Sequence, residues 1–208
     1  MSILEKLATS LGRRDEVPNQ ELARQIAQTE DKKAILELVE NLQHKNKGIQ
    51  SDCIKTLYEI AEVKPKLIAG FHPQLTALLE SSNNRLQWGA MTALSAITDE
   101  NPTVMYQALA KIIAVADSGS VVTNDHCVRI LVKLCAVQEY AEDAFSLLNE
   151  RLLKSPTNQL PMYAEMALPI IDNQNKTLFI ATLISRLSDI EKESKRIRVE
   201  KVIKKANK

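Results

Sequence analysis

Four stretches of this chain carry the same pattern of apolar residues, each 37 positions after the last. The first position of the pattern reads Ile49, Leu86, Thr123 and Leu160, and the second reads Cys53, Ala90, Cys127 and Ala164. The third reads Leu57, Leu94, Leu131 and Leu168, and the fourth Ile60, Ile97, Leu134 and Ile171. Fifteen of these sixteen residues are apolar. With one copy set aside, eleven of the remaining twelve match, which at 45% hydrophobic content arises by chance about once in a thousand. Steps of four, four and three residues put each set on one face of a helix, whereas a strand would alternate every second residue. The stretch 83–102 shows this most clearly, with Leu86, Ala90, Leu94 and Ile97 inward. Units of this kind cannot bury their apolar faces alone, so neighbours must stack.

The rest of the chain fits around those four helices. Residues 2–11 read as a short amphipathic helix, followed by a polar bend at 12–16 and a second short helix over 20–28 introduced by Pro18. This pair is less regular, as a terminal cap should be. Asp31 is a helix N-cap for 32–44, with Ala34, Ile35, Leu38 and Leu42 inward. First helices of each pair repeat more loosely, through Ala34, Phe71, Ala108 and Phe145, then Leu42, Leu79, Ala116 and Leu153. Pro65 and Pro102, again 37 apart, suit the first position of a helix, where no N–H is needed. Gly48 and Gly119 fall in predicted turns, and Pro73 lies inside a first helix, which it should kink. A last pair, 176–190 and 194–206, breaks register as a cap would. The expected organisation is a single all-α domain over 1–208, with a capping pair at 2–28, regular repeats over 31–171 and a second cap at 174–206.

The helix-turn-helix unit, Pro73 within a first helix, and the second-helix pattern L-x-x-x-A-x-x-x-L-x-x-I together resemble the HEAT/armadillo superfamily. The resemblance covers nearly the whole chain. It implies a right-handed α-α superhelix of about six helical hairpins, whose second helices line a concave surface, and a scaffold that binds proteins. A typical HEAT unit carries an arginine just after the first inward residue of its second helix. Here that position holds Gln50, Gln87, Asn124 and Pro161, so an amide ladder is expected in place of a charge ladder.

Composition narrows the function classes. A net charge of +1 gives no whole-molecule attraction to nucleic acid or membrane. No apolar run approaches the ~18 residues of a membrane span, and the basic pair Arg13-Arg14 follows the apolar N-terminal stretch, the reverse of a signal peptide. A soluble, cytoplasmic protein is expected. Cys53 and Cys127 stand two repeats apart and Cys127 and Cys135 eight residues apart on one helix, too far for the ~4.4–6.8 Å between Cα atoms that a disulfide spans. Reduced, buried thiols are expected. No phosphate-cradling glycine motif or nucleophile elbow occurs. His44, His72 and His126 are isolated, without the H-E arrangement of metal hydroxylases. The chain therefore reads as a non-enzyme without cofactor or metal.

The candidate site lies on the outward face of the second helices. A wheel at ~100° per residue sets Trp88, Thr92, Ser95 and Asp99 opposite the core stripe of their helix. Their counterparts are Ser51, Lys55, Tyr58 and Glu62, then Asp125, Arg129 and Val132, then Met162, Met166 and Pro169. Tyr58, Trp88, Thr92, Ser95, Arg129 and Met162 are the candidate protein-binding residues, because Trp and Tyr anchor interfaces disproportionately. Trp88, the only tryptophan, either anchors a partner or folds against the adjoining turn and fills a gap between repeats; Met162 and Met166 either face a partner or pack under the last pair. Residues 192–208 carry eight Lys/Arg and two Glu, either a phosphate or acidic-partner contact or the solvated outer face of a cap. The leading expectation is a protein partner on the concave face. The alternative is a nucleic-acid-binding protein resembling the HEAT-like glycosylases of alkylated DNA, with Tyr58, Trp88, Asp125, Arg129 and Lys133 the residues available to it.

Overall fold

The structure, a computed structural model, describes residues 2–208; Met1, part of the expected domain span, lies outside the described residues. These fold as helices α1 (Val17–Thr29), α2 (Lys32–Glu40), α3 (Lys47–Val63), α4 (His72–Ala77), α5 (Asn84–Ile97) and α6 (Pro102–Gln107). There follow α7 (Leu109–Ser118), α8 (Val121–Cys135), α9 (Ala141–Lys154), α10 (Leu160–Ala167), α11 (Lys176–Ser185) and α12 (Glu193–Ala206). Short 3-10 turns join or extend several of them. Among the described residues there is no strand, and no helix is long and apolar enough to cross a membrane.

Polar side chains start and tie the helices at repeat spacing. Asp31 accepts from the N–H groups of Lys33 (3.1 Å) and Ala34 (3.0 Å), as an N-cap should. Asn46 and Asn83, 37 apart, cap α3 and α5 by accepting from Gly48 N (2.8 Å) and Arg85 N (3.1 Å). The amides one residue past the first inward position work in register too. Gln87 donates to the Leu79 carbonyl (3.0 Å) and Asn124 to the Ala116 carbonyl (2.8 Å), each joining a second helix to the end of the first helix before it. Gln50 instead accepts from Asn83 of the next repeat (3.4 Å).

The chain forms two compact units, the first ending at Cys127 and the second spanning Val128–Lys208, so that α8 contributes a half to each. In the first, α1 packs on α3 and α3 on α5, forming a layer of second helices, while α2 and α4 pack behind α3 and α5. Lys64–Glu30 and Lys111–Glu80, each 2.7 Å, and the Asn101 amide on the Ala69 carbonyl (2.8 Å) bridge elements about one repeat apart. In the second unit α10 packs on α12 and α9 on α11. There Arg186 donates to the Leu152 (2.8 Å) and Ser155 (3.0 Å) carbonyls at the end of α9, satisfying groups that a helix C-terminus leaves unpaired.

Fourteen of the sixteen periodic residues are buried; Leu168 and Ile171 are half-buried, because α10 stops at Ala167 and passes into a 3-10 turn containing Pro169. First helices depart more from expectation. Residues 2–11 are not one helix: Ile3–Lys6 form a 3-10 segment and residues 8–12 a separate turn, because the N–H groups of Ala8 and Thr9 bond to the side chains of Asn19 (2.9 Å) and Asp52 (2.7 Å) rather than to the preceding turn. Pro73 does not kink a helix but sits in the first turn of α4, after two 3-10 turns at Pro65–Leu67 and Ala69–Phe71. Gly48 is not in a turn but in the first turn of α3. Leu153 is 45% exposed and Leu152 takes the inward place. Leu42 and Leu79 lie in 3-10 turns of three residues per turn, whereas Leu153 stays in an α-helix, so equal spacing no longer gives equal angle. Cys53 and Cys127 are buried and Cys135 half-buried, all as free thiols.

Candidate functional site

A cleft of about 620 Å³ opens on the second-helix layer of the first unit. Its walls come from α3 (Ser51, Asp52, Lys55, Tyr58) and α5 (Arg85, Trp88, Thr92), and the N-terminal segment closes one side with Thr9 and residues 13–16. The floor where α3 meets α5 depends on Gly89. A Cβ there would stand 2.4 Å from Ile54 Cγ1, so only glycine permits this helix spacing.

Asp52 holds the N-terminal segment in place. One carboxylate oxygen accepts from Thr9 N (2.7 Å) and the other from the Asn19 amide (2.8 Å), whose own oxygen accepts from Ala8 N (2.9 Å). Asn19 is 1% exposed, with both its amide nitrogen and its oxygen bonded, so a buried polar group here costs little. The chain then turns at Gly12, whose φ of 68° is left-handed. That turn brings Arg13, Arg14, Asp15 and Glu16 to the mouth of the cleft.

Lys55 is the most constrained charge. Its Nζ lies 2.8 Å from Glu16 and 2.7 Å from Glu59, and 4.7 Å from the centre of the Tyr58 ring. Burial works against its ammonium, but the hydrogen bonds to Glu16, Glu59 and Tyr58 outweigh this and raise its pKa. Desolvation likewise raises the Tyr58 phenol. Arg13 pairs with Asp15 through two contacts of 2.9 Å. Burial pushes the Cys53 and Cys135 thiols up to about 12, so both stay protonated at neutral pH. The cleft thus offers fixed charges, hydroxyls and aromatic rings to a ligand.

Of the six candidate residues, Tyr58, Trp88 and Thr92 share this cleft, with both rings half-buried. The Thr92 hydroxyl donates to the Trp88 carbonyl (2.9 Å) and lies 3.0 Å from His126 Nε2. Ser95 is not on the surface: it is 4% exposed, because a wheel describes one helix and the layer packed around α5 covers its C-terminal half. Arg129, exposed on α8, and Met162, half-buried on α10, belong to the second unit and do not line the cleft. Sequence reasoning missed Arg13, Arg14, Glu16 and Arg85. The available signal is Asp52, a carboxylate where the other copies have Gly89, His126 and Tyr163, and beside the buried Cys53. A charge there needs a partner from outside the repeat.

A layer of repeated second helices backed by first helices defines a HEAT/armadillo-like helical-repeat fold. Among solved structures, the chain aligns with a designed armadillo repeat protein in complex with the peptide (KR)4, at TM-score 0.65 and 18% identity over 99% of this chain and 100% of that one. Computationally designed armadillo repeat proteins for modular peptide recognition align at 0.62 and 17% over 97% of both chains. An engineered protein aligns at 0.63 and 22% over 99% of both. Identities this low establish the fold alone. No protein-family model matches the chain, and no curated protein matches it by sequence.

Proposed function

We propose that this protein is a non-enzymatic helical-repeat scaffold that holds a segment of a partner protein in the cleft of its first unit. The observation that carries this reading is the pairing of two half-buried aromatic rings, Tyr58 on α3 and Trp88 on α5, in the wall of one cleft. Such rings supply large contact area at small entropic cost, which is why they dominate interface energetics. That designed armadillo repeat proteins of this fold recognise peptides supports it further. A nucleic acid is the poorer occupant, since Asp15, Glu16 and Asp52 all line the cleft.

Panning a random peptide-display library against the full-length chain tests the reading. Enriched peptides should change the emission of Trp88, the chain's only tryptophan. They should bind Trp88→Ala and Tyr58→Ala about tenfold or more weakly, as expected for interface anchors, while both variants keep wild-type circular dichroism. Peptides that bind both variants as tightly as wild type would place the partner elsewhere and defeat the proposal.

A further inference from the structure

Resting on the reading of the cleft as a peptide site, we infer that the segment it accepts is acidic, with carboxylates flanking an apolar or aromatic residue. The charges around the cleft divide into those already satisfied and those left over. Arg13 is neutralised by Asp15, and Lys55 by Glu16 and Glu59. Asp52 spends both carboxylate oxygens on Thr9 N and Asn19. Each of these groups is thus already held by a partner within the chain.

Arg14 and Arg85 remain. Both line the cleft, both are exposed, and neither has an ion pair among the described residues. A second depression of about 480 Å³ adjoins the first, sharing Ser51 and Arg85 with it, and adds Lys47, also exposed and unpaired among the described residues. A segment passing from Trp88 and Tyr58 toward Ser51 thus meets three cations without an ion pair among the described residues, whereas each carboxylate lining the cleft already holds a partner within the chain. Guanidinium groups bind carboxylates through two parallel hydrogen bonds, and unpaired ones lose little in doing so because they are already at the surface.

A carboxylate chain fits better than a phosphate chain. Nucleic acid carries a charge at every nucleotide, so its backbone could not avoid Asp15, Glu16 and Asp52. A peptide places its few charges where the sequence puts them, and can meet Arg14, Arg85 and Lys47 while leaving an uncharged side chain over the two rings.

The test uses the full-length chain and random peptides of roughly twelve residues, panned at about 0.1 M salt. Net-negative peptides should dominate the enriched pool. Their affinity should fall about tenfold or more in the double variant Arg14→Ala/Arg85→Ala and fall again as salt rises, as for charge-steered association. Both positions are exposed, and unchanged circular dichroism of the double variant checks its fold. Enriched peptides that are neutral or basic but still depend on Trp88 would overturn the acidic assignment and leave the peptide cleft standing. A pool indifferent to Trp88→Ala and Tyr58→Ala would overturn both. A single-stranded oligonucleotide that displaces the peptides with a steep salt dependence would replace the acidic peptide by nucleic acid.

Discussion

The two units share one inward apolar pattern and differ in the residues they turn outward. In the first, the positions facing away from the core hold Ser51, Lys55, Tyr58, Trp88 and Thr92, and their rings and cations border an open cleft. In the second, the corresponding positions on α10 hold Met162 and Met166, and the aromatic residues have gone inside: Tyr163 is 2% exposed, Tyr140 5% and Phe179 0%. Some arginines differ likewise. Arg186 binds the carbonyls at the end of α9 and Arg198 meets Glu165 at 2.6 Å, whereas Arg14, Lys47 and Arg85 of the first unit have no ion pair among the described residues. A repeat skeleton therefore tolerates two uses of one residue type. Turned inward, an aromatic ring joins neighbouring helices; turned outward, it is open to a ligand.

Tyrosine gives the sharpest way to break that contrast. Tyr163→Ala should cost about 3–5 kcal/mol, the range for emptying a buried aromatic site. Tyr58→Ala should cost no more than about 1 kcal/mol, because its ring is already half in water. Urea unfolding of the two variants measures both, and comparable losses would mean that Tyr58 is a core residue and not part of an open wall.

A smaller effect is expected at the cleft floor. Gly89→Ala should destabilise by about 1–3 kcal/mol, because its methyl group would push Ile54 and widen the spacing of α3 and α5. The same change should weaken peptide capture by moving Tyr58 away from Trp88. A variant as stable as wild type and equally able to bind peptides would show that the helix spacing does not set the cleft.

The smallest effect belongs to the exposed pair of the second unit. Arg198→Ala should cost at most about 0.5 kcal/mol, since both partners are nearly half exposed to solvent. The Arg198 hydrogen bond holds the Glu165 carboxyl below its ordinary value of 4.5, against a smaller opposing effect of burial. Lowering a folded-state pKa adds stability above the unfolded value, and that stability is lost as pH falls through the folded one. Melting of wild type and variant should thus converge once the pH has fallen below the lowered Glu165 value. A gap that persists or grows in acid would assign Arg198 a packing role instead.

How much of this was legible in the chain varies by element. The inward faces of the second helices were readable because burial there needs only local periodicity, and fourteen of the sixteen residues obey it. First helices were less readable, since 3-10 turns at Leu42 and Leu79 alter the angle per residue without altering the spacing. Trp88 could be set on the outward face by its position on α5, yet the same wheel set Ser95 there, and the surrounding layer buries it. The N-terminal segment misled most. Its pattern is helical, but two side chains, Asn19 and Asp52, take the N–H groups that a helix would have used.

By itself, the sequence determined the repeat, its 37-residue period, the helical class and nearly all of the second-helix core, because those follow from the spacing of apolar residues along one helix. Only the tertiary structure decided which polar residues meet. Arg14 reaches the cleft of Trp88 and Tyr58, beside Arg85 of α5, because Asp52 clamps a segment 43 residues before it, and no periodicity encodes a bond across that distance.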